Sequence, residues 1–260
     1  MNEIAISAHN RLVTPRARVG VIIPTSNRMI EPQFMHYAPP QLGIHFARAQ
    51  ITGRWAKPLG ELRPEIARAA RTLADVKPDL MVFNCTATAM REGASGEAEL
   101  LDVVRKETGV DAVATASAVV EALDALAIRK LVLITPYIQA TNDHEIGYLH
   151  SQGLKVVHDV ALGLVGGDQF ITVAPERWID IALTNDRPDA DGYFLSCTNT
   201  TQIEAVDEIE LRTGKPVVTS NQAVLWASIN RLRSALTLTG PAPLPGRLAR
   251  LDRAVRSAAE

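Results

Sequence analysis

The sequence has few cysteines, few aromatic residues and no long apolar run. Its 260 residues include only two cysteines, Cys85 and Cys197, and aromatic side chains make up 5%. No apolar stretch approaches the roughly 20 residues that a membrane-spanning helix needs, and the first residues are too mixed in polarity for the core of a signal peptide. These absences predict a cytoplasmic protein, where thiols stay reduced and two cysteines are reactive or simply buried.

Neither sign of charge is in marked excess. The formal net charge is −2, and no basic stripe with interleaved aromatic residues occurs, which argues against nucleic-acid and membrane partners. The six histidines show no metal-ligand spacing, and no GxGxxG segment follows the first predicted strand. The sequence therefore predicts neither a metal site nor a nicotinamide site.

Short β-branched segments alternate with longer segments of helical periodicity. Strands are predicted over residues 18–24, 43–49, 80–85, 111–116, 131–136, 155–162, 192–197 and 216–220. Helices are predicted over residues 62–76, 95–109, 142–153 and 203–214. Near-continuous apolar strands that alternate with helices predict an α/β fold whose parallel sheets are covered on both faces.

The second part of the chain repeats the first. Pro136 follows Pro24, and Cys197 follows Cys85, at the same separation, since 136 − 24 and 197 − 85 both give 112. A two-fold duplication predicts two Rossmann-like halves related by pseudo-two-fold symmetry, with the active site between them. The predicted division is a tail over 1–17, a first half over 18–128 plus 215–260, and a second half over 129–214.

Both cysteines stand where a predicted strand ends, and each is followed by threonine. Ligands of open parallel sheets collect at the carboxyl ends of strands, so Cys85 and Cys197 are predicted to face one cleft. Amides at a helix start would lower the thiol pKa and bind a carboxylate. The pair can act as base and acid on one carbon, or one thiol can add to a carbon while the other transfers a proton. Inert buried thiols and a redox disulfide are the alternatives, and the lack of a CxxC spacing argues against the disulfide.

Five segments carry a family resemblance, in a consistent order and spacing. They are GVIIPTSNRMIEP (Gly20–Pro32), NCTATA (Asn84–Ala89), ITPYIQATNDHEIGYL (Ile134–Leu149), LSCTNT (Leu195–Thr200) and TGKPVVTSNQAVLWA (Thr213–Ala227). These segments resemble the aspartate/glutamate racemase superfamily and, within it, the branch of maleate isomerase and arylmalonate decarboxylase. The resemblance implies an enzyme without metal, flavin or pyridoxal phosphate that binds small carboxylates between its halves, and it implies a homo-oligomer.

Within that branch the chain is most similar to the cis-trans isomerases of small unsaturated carboxylates. The resemblance implies that Cys85 adds to the double bond and that Cys197 transfers the proton. It also implies a set of substrate-binding residues: Ser26, Asn27, Thr86, Ala87, Tyr137, Thr198 and Asn199. From the residues alone, Ser26 and Asn27 also suit a helix cap, and Tyr137 also suits packing.

Several functions stay open at this point. A racemase or epimerase would use the same two thiols, and a carboxylate-binding protein would use neither. Arylmalonate decarboxylases lack the first cysteine, so Cys85 argues against plain decarboxylation. Two departures from the isomerases, Ala87 in place of serine and Asp168 near the position of an asparagine, suit a bulkier or monocarboxylate substrate as well as maleate. Asp143, His144 and Glu145 are predicted to form the solvated first turn of a helix. Arg54, in the loop after the second strand, is predicted at the surface, with contact to a distal carboxylate as the alternative.

Overall fold

The computed structural model describes residues 13–53 and 56–251. Its frame is a pair of four-stranded parallel sheets flanked by helices, which confirms the predicted α/β fold. Residues 1–12 of the predicted tail, and Arg54, lie outside the described residues, and the first strand begins at Ala17. In the described part of the chain, none of the helices is long and apolar enough to cross a membrane.

The first sheet comprises strands β1 (Ala17–Pro24), β2 (Leu42–Ala49), β3 (Leu80–Phe83) and β4 (Ala112–Ala114). Hydrogen bonding orders them β2-β1-β3-β4, all parallel. Every residue of β1 except Arg18 is buried. Its sequence is nearly continuous in apolar residues because helices and the neighbouring core cover both of its faces.

The second sheet comprises strands β5 (Lys130–Thr135), β6 (Lys155–Ala161), β7 (Gly192–Leu195) and β8 (Val217–Thr219). Their order is β6-β5-β7-β8, again all parallel. This order is that of the first sheet, strand for strand, as expected of the repeat in the sequence. All eight strands lie at the predicted places.

The described residues form ten α-helices, which flank the two sheets. They are α1 (Ile30–Tyr37), α2 (Leu59–Ala74), α3 (Thr86–Arg91), α4 (Gly93–Thr108), α5 (Thr115–Ala125), α6 (Gln139–Ser151), α7 (Gly167–Phe170), α8 (Pro175–Thr184), α9 (Val206–Thr213) and α10 (Ser220–Leu236). Short 3₁₀ helices span Gln202–Ala205 and Arg247–Arg250.

The chain crosses between the halves at the start of α10. β8 pairs with β7 in the second sheet, whereas α10, which follows it directly, packs against α5 and against β1, β3 and β4. One apolar core joins the two sheets, because residues of β5, β7 and β8 (Leu133, Phe194 and Val218 among them) belong to the same buried cluster as β1 and β3. A smaller cluster around Trp178 and Tyr193 fills the outer side of the second sheet. The predicted domain boundaries stay a prediction.

Candidate active site

A cavity of about 440 Å³ opens where the strands of both sheets end at their carboxyl termini. Loops after β1, β2, β3, β5, β6 and β7 contribute to its wall, which is the place where ligands bind in open parallel sheets. Eight of the nine site residues predicted from the sequence line it: Ser26, Asn27, Cys85, Thr86, Ala87, Tyr137, Thr198 and Asn199. The ninth, Cys197, is not among the lining residues, although its neighbours Thr198 and Asn199 are.

Cys85 lies at the start of α3, two residues beyond the end of β3. Its side chain is buried, and its Sγ lies 3.2 Å from the hydroxyl oxygen of Thr88. Burial raises the pKa of the Cys85 thiol, and the hydrogen bonds from Thr88 and the charge of Arg91 offset part of that rise. The lowered pKa expected from the sequence is therefore wrong, because removal from water outweighs the dipole of so short a helix.

Cys197 occupies the equivalent turn after β7 and is also buried. Its backbone φ is 138°, a region that residues other than glycine rarely adopt and that costs strain. The Cys197 Sγ accepts a hydrogen bond from the amide of Asn199 at 3.3 Å. Burial raises the pKa of the Cys197 thiol to about 12, although hydrogen bonds from Tyr137 and Asn199 lower it. For this thiol too, the expected lowering of the pKa is wrong.

Tyr137 lies near both thiols. Its hydroxyl hydrogen-bonds the sulfur of Cys197, and its pKa is raised by burial and by the nearness of both Cys197 and Cys85. Its ring packs edge to face against Phe170, with 5.5 Å between the ring centroids. The thiols of Cys85 and Cys197 are close enough for charge on one to raise the pKa of the other. That both cysteines act on one bound substrate stays a prediction.

Asn27 joins the loop after β1 to the Cys197 turn. Its Nδ2 donates to the carbonyl oxygen of Thr198 at 3.0 Å, and its Oδ1 accepts from the amides of Met29 and Ile30. The Asn27 side chain therefore orders the start of α1, as the sequence analysis allowed. Its role as a ligand of the substrate carboxylate stays a prediction. The amide of Arg28 donates to the side chain of Asn199 at 2.9 Å and ties the same two loops together.

The described residues of the cavity wall are uncharged. No residue that lines it in the described part of the chain carries a formal charge, and its apolar portion includes Ile138, Leu164, Val165 and Phe170. Asp168, whose sequence position raised the possibility of repelling a dicarboxylate, has a side chain that is 92% exposed and pairs with Arg28. An anion in this cavity would therefore be held by amide and hydroxyl dipoles, which suffice in a site shielded from water. Within residues 13–53 and 56–251, no cluster of three or more His, Cys, Asp or Glu side chains is placed to hold a metal ion.

Glu145 neighbours the site, and its predicted place in the solvated first turn of a helix is wrong. α6 begins at Gln139, so Glu145 lies on its second turn and is fully buried, whereas Asp143 and His144 are exposed. Neither carboxylate oxygen has a partner in good hydrogen-bond geometry in the described part of the chain, although the Ser196 hydroxyl is near enough to lower the pKa of Glu145. Burial raises the pKa of Glu145 to about 8. The sequence signal for that burial was its spacing of four residues from Leu149 on one helix face.

Comparisons with known proteins agree with this geometry. The model of the arylmalonate decarboxylase family matches residues 19–244. Arylmalonate decarboxylase of Bordetella bronchiseptica is 30% identical over 181 residues, which cover 66% of this chain and 75% of that protein. Maleate isomerase of Geobacillus stearothermophilus is 23% identical over 229 residues, which cover 83% of this chain and 91% of that protein.

Solved structures share the fold. The maleate cis-trans isomerase of Nocardia farcinica, in a cysteine-to-serine mutant with a covalently bound succinylcysteine intermediate, matches with a TM-score of 0.78 at 21% identity, over 91% of this chain and 99% of that one. The resemblance predicted from the five sequence segments is confirmed. The chain belongs to the arylmalonate decarboxylase family.

Proposed function

We propose that this protein is a cofactor-independent cis-trans isomerase of a small unsaturated carboxylate, with maleate as the first substrate to test. The observation that carries the proposal is the presence of one cysteine on each of two equivalent turns, Cys85 after β3 and Cys197 after β7, both of which contribute residues to the wall of one cavity. Relatives named maleate isomerase span 83% to 92% of this chain. The covalent succinylcysteine in one of them is the adduct that addition of a thiol to maleate would give.

Binding would rely on neutral donors. Thr86, Thr198 and Tyr137 line the cavity, and their turns would supply the amide and hydroxyl dipoles that hold a carboxylate. Such fixed dipoles stabilise negative charge without having to reorganise during the reaction.

The reaction then follows by addition and elimination. The Cys85 thiolate forms a carbon–sulfur bond to one alkene carbon, and the π electron pair moves to the other carbon, which takes the proton of the Cys197 thiol. The former double bond is now single and rotates. The Cys197 thiolate removes a proton from the carbon that was protonated, the pair re-forms the double bond, and the carbon–sulfur bond breaks to restore the Cys85 thiolate.

The surroundings of the two thiols suit these different roles. The charge of Arg91 lowers the pKa of Cys85, whereas only hydrogen bonds lower the pKa of Cys197. Cys85 is therefore the better nucleophile, and Cys197, with its pKa near 12, keeps the proton that it must donate. Because burial raises the pKa of both thiols, we expect the rate to rise with pH as Cys85 ionises.

Proton NMR of maleate incubated with the protein tests the proposal. We expect fumarate to form, and we expect Cys85→Ser and Cys197→Ser each to reduce the rate at least about a thousandfold, because each thiol is needed in both half-reactions. In Cys197→Ser the serine hydroxyl or water must supply the proton in place of the thiol, so the adduct should form slowly and persist, and mass spectrometry should find one succinyl group attached at Cys85. Thr72→Ala, which removes an exposed hydroxyl on α2, serves as the control and should keep full activity. Full activity in either cysteine variant would contradict the two-thiol mechanism.

Decarboxylation of an arylmalonate is the second candidate. The 30% identity to arylmalonate decarboxylase and the apolar wall formed by Ile138, Leu164, Val165 and Phe170 favour it, because an aryl group would find apolar contacts there. Release of carbon dioxide from phenylmalonate, retained in Cys85→Ser and lost in Cys197→Ser, would assign this activity instead.

A further inference from the structure

The two cysteine turns meet at one hydroxyl group. Ser220 is the first residue of α10 and is fully buried. Its Oγ accepts a hydrogen bond from the backbone amide of Cys197 at 3.1 Å and lies 2.8 Å from the Oγ1 of Thr86, the residue that follows Cys85. The Ser220 side chain therefore contacts both cysteine turns.

The next residue extends the link. The Nδ2 of Asn221 donates to the carbonyl oxygen of Thr198 at 3.0 Å, and the Oδ1 of Asn221 accepts from the side chain of Asn84 at 3.3 Å. Asn84 precedes Cys85 and Thr198 follows Cys197. The start of α10 thus binds both turns twice.

Helix capping does not account for Ser220. The N-cap of α10 is Thr219, whose hydroxyl accepts from the amide of Gln222, while the Gln222 side chain accepts from the amide of Thr219. This capping box already satisfies the helix start. The Ser220 hydroxyl is therefore not needed as a cap, and it bonds to the two cysteine turns instead.

The contact between the Cys197 amide and Ser220 restrains the strained backbone of Cys197. A non-glycine residue with a φ of 138° keeps that conformation only when its surroundings fix it. The bond from the Cys197 amide to Ser220 is one restraint, and the bond from the Thr200 hydroxyl to the Cys197 carbonyl, at 3.3 Å, is another. Of the two, only Ser220 also reaches the Cys85 turn.

We propose that Ser220 is a positioning residue that fixes the two cysteine turns relative to each other, acting through the amide of Cys197 and the hydroxyl of Thr86. It holds the Cys197 sulfur where the amide of Asn199 and the hydroxyl of Tyr137 can stabilise the thiolate. Its effect on turnover rests on the proposed isomerase function, but its effect on thiol reactivity does not.

Two variants of the same helix test the proposal. Ser220→Ala removes the link, whereas Ser228→Ala removes an equally buried hydroxyl whose bond, to the Val224 carbonyl at 2.8 Å, stays within α10. We expect Ser220→Ala to lower kcat for maleate by about 10-fold to 100-fold, since small misplacements of reacting groups have effects of that size. KM should change less than about threefold, and Ser228→Ala should leave both constants unchanged.

Alkylation by iodoacetamide, resolved by mass spectrometry, supplies a readout without substrate. In Ser220→Ala the rate at Cys197 should fall several-fold relative to the rate at Cys85, because the Cys197 thiolate loses its donors. Thr86→Val, a change on the opposite turn, should slow Cys197 in the same direction, and the double variant should be no slower than Ser220→Ala alone.

Different failures point to different conclusions. Wild-type protein that does not convert maleate, yet shows the expected change of alkylation in Ser220→Ala, would refute the isomerase and keep the positioning role. Unchanged Cys197 alkylation in a folded Ser220→Ala, or an equal change in Ser228→Ala, would overturn the positioning role. If Ser220→Ala does not fold, Thr86→Val decides, because it leaves Ser220 and its bond to Cys197 in place.

Discussion

Cys85 and Cys197 occupy equivalent turns but have different neighbours. Cys85 has Thr88 and the charge of Arg91, whereas Cys197 has the hydroxyl of Tyr137, one amide and a strained backbone. A duplicated sequence supplies two like thiols, and the different loops around them suit the proposed roles of nucleophile for Cys85 and proton donor for Cys197.

At the same scale, Glu145 should make stability depend on pH. Its pKa in the folded protein is about 8, against an ordinary value of 4.5. Between these values the native state holds a proton that the unfolded chain has lost, so the free energy of unfolding should fall as pH rises, by up to about 1.4 kcal/mol per pH unit. Glu145→Gln stays neutral and should escape this loss.

Urea denaturation at pH 5, 6, 7 and 8 measures the effect. The stability of Glu145→Gln relative to wild type should increase steadily with pH across this range. Asp143→Asn, an exposed change two residues earlier on α6, is the control and should show no such trend. A difference between wild type and Glu145→Gln that stays constant with pH would show that Glu145 is charged in the folded protein.

Some features of the site could be predicted from the sequence, and others could not. The repeat predicted the two cysteines and the turns that carry eight of the nine predicted site residues to the cavity wall. It could not predict that desolvation raises the pKa of both thiols, because burial depends on the packing of the other half. It also could not predict the contact between Ser220 and Thr86, which joins residues 134 positions apart.

Among the elements, α10 begins with Ser220, which contacts both cysteine turns, and we expect its capping box to contribute to stability. Thr219→Ala breaks its capping box, and such a loss typically costs about 1 kcal/mol of the free energy of unfolding. Thr72→Ala removes a hydroxyl that bonds only to the Arg68 carbonyl within α2 and should change stability by less than about 0.5 kcal/mol. Chemical denaturation of both variants makes the comparison, and equal losses would argue that the cap is not needed.

Four of the ten described α-helices were predicted, and α1, α3, α5, α7, α8 and α10 were not. The four helices predicted from periodicity correspond to α2, α4, α6 and α9, each of which has one exposed face. α10 is buried on nearly every side, so its sequence carries no polar stripe to mark a period. α3 and α7 have six and four residues, too few for a periodic pattern.

For the molecule as a whole, the shared core predicts one unfolding transition. Residues of both sheets belong to a single buried cluster, so neither half can lose its structure without exposing apolar surface of the other. Calorimetry should therefore give one peak, with calorimetric and van't Hoff enthalpies in agreement. Two resolved transitions would show that the halves unfold separately.

The topology of the whole molecule was predictable in outline. The repeat predicted two like sheets, but the place where the chain crosses between them depends on packing that no local pattern encodes: β8 completes one half and α10 covers the other. Assembly into a homo-oligomer stays a prediction, which light scattering in solution can test.

The uncharged wall of the cavity has a consequence for how substrate arrives. With a net charge of −2 and, among the described lining residues, no cation at the cavity, the protein has little long-range field with which to attract an anion. Encounter then depends on ordinary diffusion, and kcat/KM should vary little between low and physiological salt. Recognition comes only at short range, through shape and the orientation of a few dipoles.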